Sequence, residues 1–187
     1  MTVRDQQRRW LDELRARFGG DCVDEWASFT GYPKQYSPTL DLAVGPFSTV
    51  PGERRVGDYR RLAREHRHFL ENLWACHVQN EAELNARNDQ SASTLGSALA
   101  ANRNARCFLA IEIENQVSRK HLMGGALNAV ALGHLGIIIG WTEDKVRAMF
   151  RARNYLRFLE RVEKPTISMG NLLILSREQA SRAFRPD

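Results

Sequence analysis

The stretch FLAIEIENQVSRKH, residues 108–121, decides how the chain is read. Its first half alternates as a β-strand does, with successive side chains on opposite faces. Leu109, Ile111 and Ile113 share one face, and Glu112 and Glu114 share the other. A helix then runs from about Val117 to Leu132, and LGIIIGW, residues 135–141, is β-branched and reads as a second strand. Strand, helix and strand at this spacing predict a β-α-β crossover with parallel strands. The helix–strand unit from Leu122 to Trp141 carries no Asp, Glu, Lys or Arg and would be long enough to span a bilayer. Its five glycines, Asn128 and His134 argue instead for a buried helix, punctuation at Gly133 and Gly136, and a buried strand.

Working outward, residues 4–18 form an amphipathic helix with Trp10, Leu11, Leu14 and Phe18 on one stripe, ended by Gly19 and Gly20. DCVDEWASF restarts a short helix with Asp21 as its N-cap, followed by a loop, GYPKQYSP. TLDLAV, Thr39 to Val44, reads as a strand with Leu40, Leu42 and Val44 on one face and Asp41 on the other. One long helix is expected from Asp58 to about Ala86, then a polar segment that is a loop or a loop holding a short helix. Thr142 caps a helix from Glu143 to about Glu163 that Pro165 stops; TISMGNLLIL supplies one or two strands, and SREQ is a capping box opening a terminal helix. Helices and strands alternating in this way predict an α/β fold, a three-layer α/β/α sandwich around a central mixed sheet. One domain over 1–187 is expected, with a helical excursion at about 45–106.

With 43% hydrophobic and 26% charged residues the chain can build a core. Its three cysteines are widely spaced, which argues against a disulfide framework or a zinc knuckle. The opening MTVRDQQRRW has no apolar run, so no signal peptide is expected, and a reducing cytoplasm and no membrane partner fit best. His66, His68, Cys76 and His77 lack the three- or four-residue spacing that zinc ligands on one helix face need. No phosphate-loop, GxSxG or HExxH motif is present. The formal charge of +5 favours a polyanion partner electrostatically. The densest basic run is RRVGDYRRLAREHRH, residues 54–68. Lys120, Gly124 and Asn128 are four apart and share a helix face, where glycine allows close approach of a sheet or a phosphate backbone.

Two acids side by side on a strand repel each other unless water or a cation lies between them. Asp41, in an otherwise apolar strand, is a third acid in search of a reason. An Asp on one strand, Glu-x-Glu on a later one, then a helix and a strand resembles the PD-(D/E)-x-K nuclease superfamily, the restriction-endonuclease-like fold, over residues 21–44 and 107–141. The resemblance puts Asp41 and Glu112 on the family's acidic positions, and Glu114 where the family usually has Lys. Glu25, on the helix expected from Asp21, would stand for the family's N-terminal acid. The resemblance implies Mg²⁺ or Mn²⁺ held by Asp41, Glu112 and Glu114, with Lys120 reaching back from the next helix to steady developing charge. It implies hydrolysis of phosphodiesters, DNA ahead of RNA, and leaves a homodimer open. Arg54, Arg55, Arg60, Arg61 and Arg119 would hold the nucleic acid. The rival readings are a nuclease-like domain without catalysis that binds nucleic acid or a protein partner, and a plain interaction domain.

Overall fold

The computed structural model describes residues 2–29, 37–50, 52–84, 93–116, 118–164 and 167–186, with backbone only for Arg119 and Lys120. Most of the GYPKQYSP loop and Pro165 lie outside the described residues. The elements are α1 (Val3–Phe18), β1 (Cys22–Ala27), β2 (Thr39–Val44), α2 (Val56–Glu65), α3 (Arg67–Leu84), α4 (Leu95–Ala101), β3 (Cys107–Glu114), α5 (Arg119–Leu132), β4 (Gly133–Gly140), α6 (Glu143–Arg161), β5 (Leu172–Ser176) and α7 (Arg177–Ala183). The five strands form one mixed sheet in the order β1-β2-β3-β4-β5. The pairs β1/β2 and β2/β3 are antiparallel; β3/β4 and β4/β5 are parallel.

Alternation along the strands sorts the core into two layers. Leu42, Val44, Leu109, Ile111, Leu135, Ile137, Ile139, Leu173 and Leu175 face one way and pack with Trp10 and Leu14 of α1, Leu70 and Leu73 of α3, and Phe184 just past α7. Ile138, Leu172 and Ile174 face the other way, under Leu122, Ala126 and Val130 of α5 and Val146, Met149 and Phe150 of α6. Fully burying one such side chain contributes about 1.5–3 kcal/mol, so the two layers commit the sheet to being covered on both faces. The protein is an α/β fold whose five-stranded mixed sheet is flanked by helices.

The expected β-α-β unit is present, with its strands in parallel register from Cys107↔Gly133 to Glu114↔Gly140. Gly133 does punctuate, as the C-cap of α5 and the first residue of β4, but Gly136 lies inside β4. A Cβ at Gly136 would sit 2.8 Å from the Ala129 backbone of α5, and one at Gly140 would sit 2.7 Å from Val146 of α6. Bare backbone on this side of β4 lets both helices lie directly on the sheet. No helix among the described residues is long and apolar enough to cross a membrane.

Two further expectations need correction. Residues 22–27 are an edge strand, not a helix, because pairing with β2 from Cys22↔Val44 to Ala27↔Thr39 supplies backbone partners that local propensity did not reveal. The long helix expected from Asp58 is two helices that break at His66, whose φ of −108° and ψ of 32° leave the helical range. The His66 ring packs on Phe18, with centroids 4.3 Å apart, and the break lets Tyr59 of α2 and Phe69 of α3 both enter the core. The segment before β3 holds the short helix α4, opened by a Thr94–Ser97 capping box, and TISMGNLLIL supplies one strand among its described residues. Ser176 and Gln179 form the expected box at α7. Thr142 occupies the N-cap position of α6, but its side chain makes no capping bond.

Candidate functional site

The β2–β3 ladder runs from Val44↔Leu109 to Leu42↔Ile111, and one more step along that register sets Asp41 opposite Glu112. Here the strands stop pairing regularly. Asp41 Oδ2 accepts the Ile113 N–H at 2.6 Å, a carboxylate standing where a carbonyl would be expected. On its other flank the pairing with β1 is also interrupted, because Glu25 turns into the left-handed region with φ 47°. Gln7, buried on α1, donates from Nε2 to the Asp41 carbonyl at 2.8 Å and to Glu25 Oε1 at 3.3 Å. Asp41 is therefore held by a backbone N–H on one side and a glutamine on the other.

Across this point the Asp41 and Glu112 carboxyl groups are in hydrogen-bonding contact. Asn128 of α5 adds a longer bond, Nδ2 to Glu112 Oε1 at 3.4 Å. Burial first, and then Asp41, pushes Glu112 up to about 9. Burial likewise raises Asp41 to about 6; Glu25 and Glu114 push it the same way, and the Ile113 N–H opposes them. Like charges this close do not both ionise, so the pair shares a proton at neutral pH.

Glu114 is on the same strand face but is occupied differently. Its Oε1 accepts the Gln116 N–H at 2.6 Å as the chain leaves the sheet. Burial raises its pKa, while the Gln116 N–H and then His121 and Lys145 pull it down. The three acids line one cleft of about 690 Å³ together with His121, Gly124 and Asn128. The cleft lies at the C-terminal ends of the parallel strands β3 and β4, where open α/β sheets place ligands.

Of the remaining candidates, the four arginines of residues 54–61 lie away from this cleft. The side chains of Arg119 and Lys120 are outside the described residues. Arg54 and Arg60 are exposed. Arg55 pairs with Glu53 at 2.5 Å and Asp58 at 3.7 Å, and Arg61 with Glu65 at 3.2 Å and Asp58 at 3.9 Å. Arg55 and Arg61 line a separate cleft beside Gly45 and Pro46, beyond the other end of β2. Gln7 and His121 were not singled out by the sequence reading. A signal for Gln7 was available: it falls on the apolar stripe of α1, one turn before Trp10 and Leu11 and two before Leu14.

The donor set can be tested against a divalent ion. Among the described residues, no group of three or more His, Cys, Asp and Glu side chains is arranged to hold a metal. Mg²⁺, however, is commonly held by one or two carboxylates and keeps several waters. Asp41 and Glu112 are such a pair, all-oxygen, with a shared proton that an ion would displace. No family model, no curated protein and no solved structure matches the chain.

Proposed function

We propose that this protein is a metal-dependent nuclease with a restriction-endonuclease-like arrangement, hydrolysing phosphodiester bonds of nucleic acid, DNA ahead of RNA. The observation that carries the reading is the contact between Asp41 and Glu112, two carboxyl groups from strands paired antiparallel, inside an open cleft. A structural ion pair would bring opposite charges together; this site brings like charges together and leaves them accessible. Asp41 and Glu112 would hold Mg²⁺ or Mn²⁺. When bound, such an ion supplies charge stabilisation at the phosphoryl oxygens and a more acidic water. The chain's own part is orientation: the Ile113 N–H fixes Asp41, Asn128 steadies Glu112, and Gln7 holds the Asp41 backbone. Glu114 lies within electrostatic reach of both acids and would receive a proton or orient a water.

A second reading is favoured by one observation. The position where the resembled family has Lys is Glu114, and its carboxylate is engaged by the Gln116 N–H. A domain that binds nucleic acid without cutting it fits that arrangement. Incubation of purified protein with supercoiled plasmid and with single-stranded circular DNA in Mg²⁺, Mn²⁺ or EDTA, beside Glu112→Ala, separates the two. Metal-dependent cutting of either DNA that the variant loses establishes the nuclease. Both DNAs left intact, with salt-sensitive retention of DNA, establish the binding domain instead. Both DNAs intact without any retention removes both.

A further inference from the structure

Adjacent glycines stand on α5, and their surroundings differ. A Cβ at Gly125 would lie 3.8 Å from Cβ and Cγ of Glu112, so this residue rests against the acid's stem. A Cβ at Gly124 would meet nothing within 4 Å. Neither residue has a positive φ. Glycine in a helix interior is less stable than every residue but proline. At Gly124 that cost is met by no packing contact and no backbone requirement. Gly124 lines the cleft, with His121 three residues before it and Asn128 four after it on the same helix face. What the missing side chain leaves is room in the cleft that also holds the Asp41–Glu112 pair.

We propose that Gly124 is a clearance residue, keeping the cleft wide enough for a single nucleic-acid strand to lie along α5 with a phosphate at the acid pair. This rests on the nuclease reading and adds the form of the substrate. The acids are only partly exposed, at the floor of a cleft of about 690 Å³. Pockets of that size hold ligands of small-molecule dimensions, which matches one or two nucleotides and not a turn of duplex. An unpaired strand or an extruded end fits a cleft of that size more readily than a closed double helix does.

The test uses the full chain and the variants Gly124→Ala and Gly124→Leu. Three quantities are read: the melting temperature, its shift by Mn²⁺ alone, and the affinity for a fluorescent twelve-nucleotide single strand in Ca²⁺ by anisotropy. The expected result is a higher melting temperature for both variants, an unchanged Mn²⁺ shift, and oligonucleotide affinity that falls in the order Gly, Ala, Leu. The loss for leucine should be at least about tenfold, equivalent to about 1.4 kcal/mol. A lower melting temperature for Gly124→Leu would reveal a packing role and overturn the proposal, as would unchanged oligonucleotide affinity. Tighter binding of the matching duplex than of the single strand would overturn the substrate form. Wild-type protein that shifts with Mn²⁺ but binds no oligonucleotide rejects the clearance role and leaves the metal pair standing. Wild-type protein that does neither rejects the nuclease reading together with this one.

Discussion

Two sets of charged side chains below the surface of this protein are assembled in opposite ways. Between α3 and α6, Arg153 is 1% exposed, pairs with Glu81 and lies over the Phe150 ring at 4.9 Å. Beside it, His77 Nδ1 accepts the Ile174 N–H at 3.0 Å, and burial, then Arg153, lowers His77 to about 3, so the ring stays neutral. Opposite charges meet there, and the core closes over them. At the end of β2 and β3, Asp41 meets Glu112. Like charges meet there, and a cleft stays open. A buried charge is thus not in itself a sign of function; the informative case is a charge left without its counter-ion and within reach of solvent.

The largest effect expected from this contrast is at the closed cluster. Arg153→Ala removes the partner of Glu81 and should cost about 3–5 kcal/mol of stability in urea unfolding. A loss below about 1 kcal/mol, the range of exposed pairs, would mean that the cluster is not sealed and the contrast is false.

The open pair should respond in the opposite direction. Both carboxyls titrate above their ordinary values, so the folded state binds more protons than the unfolded chain. Stability therefore falls as pH rises from the ordinary carboxyl range towards about 9. Glu112→Gln should raise stability at pH 8 by about 1–3 kcal/mol, match wild type below pH 4, and flatten the profile between. Parallel profiles for the two proteins would break the comparison. An ion bound at the pair reverses the trend, because it favours the deprotonated form. Mg²⁺ or Mn²⁺ at about 100 times its dissociation constant should add about 2.7 kcal/mol. That gain should be smaller at pH 5 than at pH 8 and absent in Glu112→Gln.

The smallest effect concerns the turn that presents Asp41. Glu25 has φ 47°, a conformation that costs a residue with a side chain about 1–2 kcal/mol. Glu25→Gly should therefore be more stable than Glu25→Ala by about 1 kcal/mol, reversing the order found at an ordinary strand position. The two thermal midpoints check it directly; alanine equal to glycine would place Glu25 in ordinary extended backbone.

How much of this was legible in the sequence varied with how local the cause was. The two strands around α5 could be read because their alternation and β-branching are properties of consecutive residues. The edge strand β1 could not, because its central Asp24 and Glu25 obscure a short apolar alternation and its stability comes from β2. The break at His66 carries neither Pro nor Gly; packing on Phe18 places it. The role of Gly136 was misread for a related reason, since a backbone contact with α5 is invisible in a list of side chains.

The sequence by itself determined that Glu112 and Glu114 would share a strand face, since the pleat repeats every two residues. It also marked Asp41 as out of place among Leu40, Leu42 and Val44. Only the tertiary structure decided which acids would meet. The antiparallel register sets Asp41 opposite Glu112, while the turn out of β3 gives Glu114 to the Gln116 N–H. Register is a long-range choice, settled by how the apolar faces of separate strands fit the helices over them. No local pattern contains it, and the pairing of Asp41 with Glu112 depends on it.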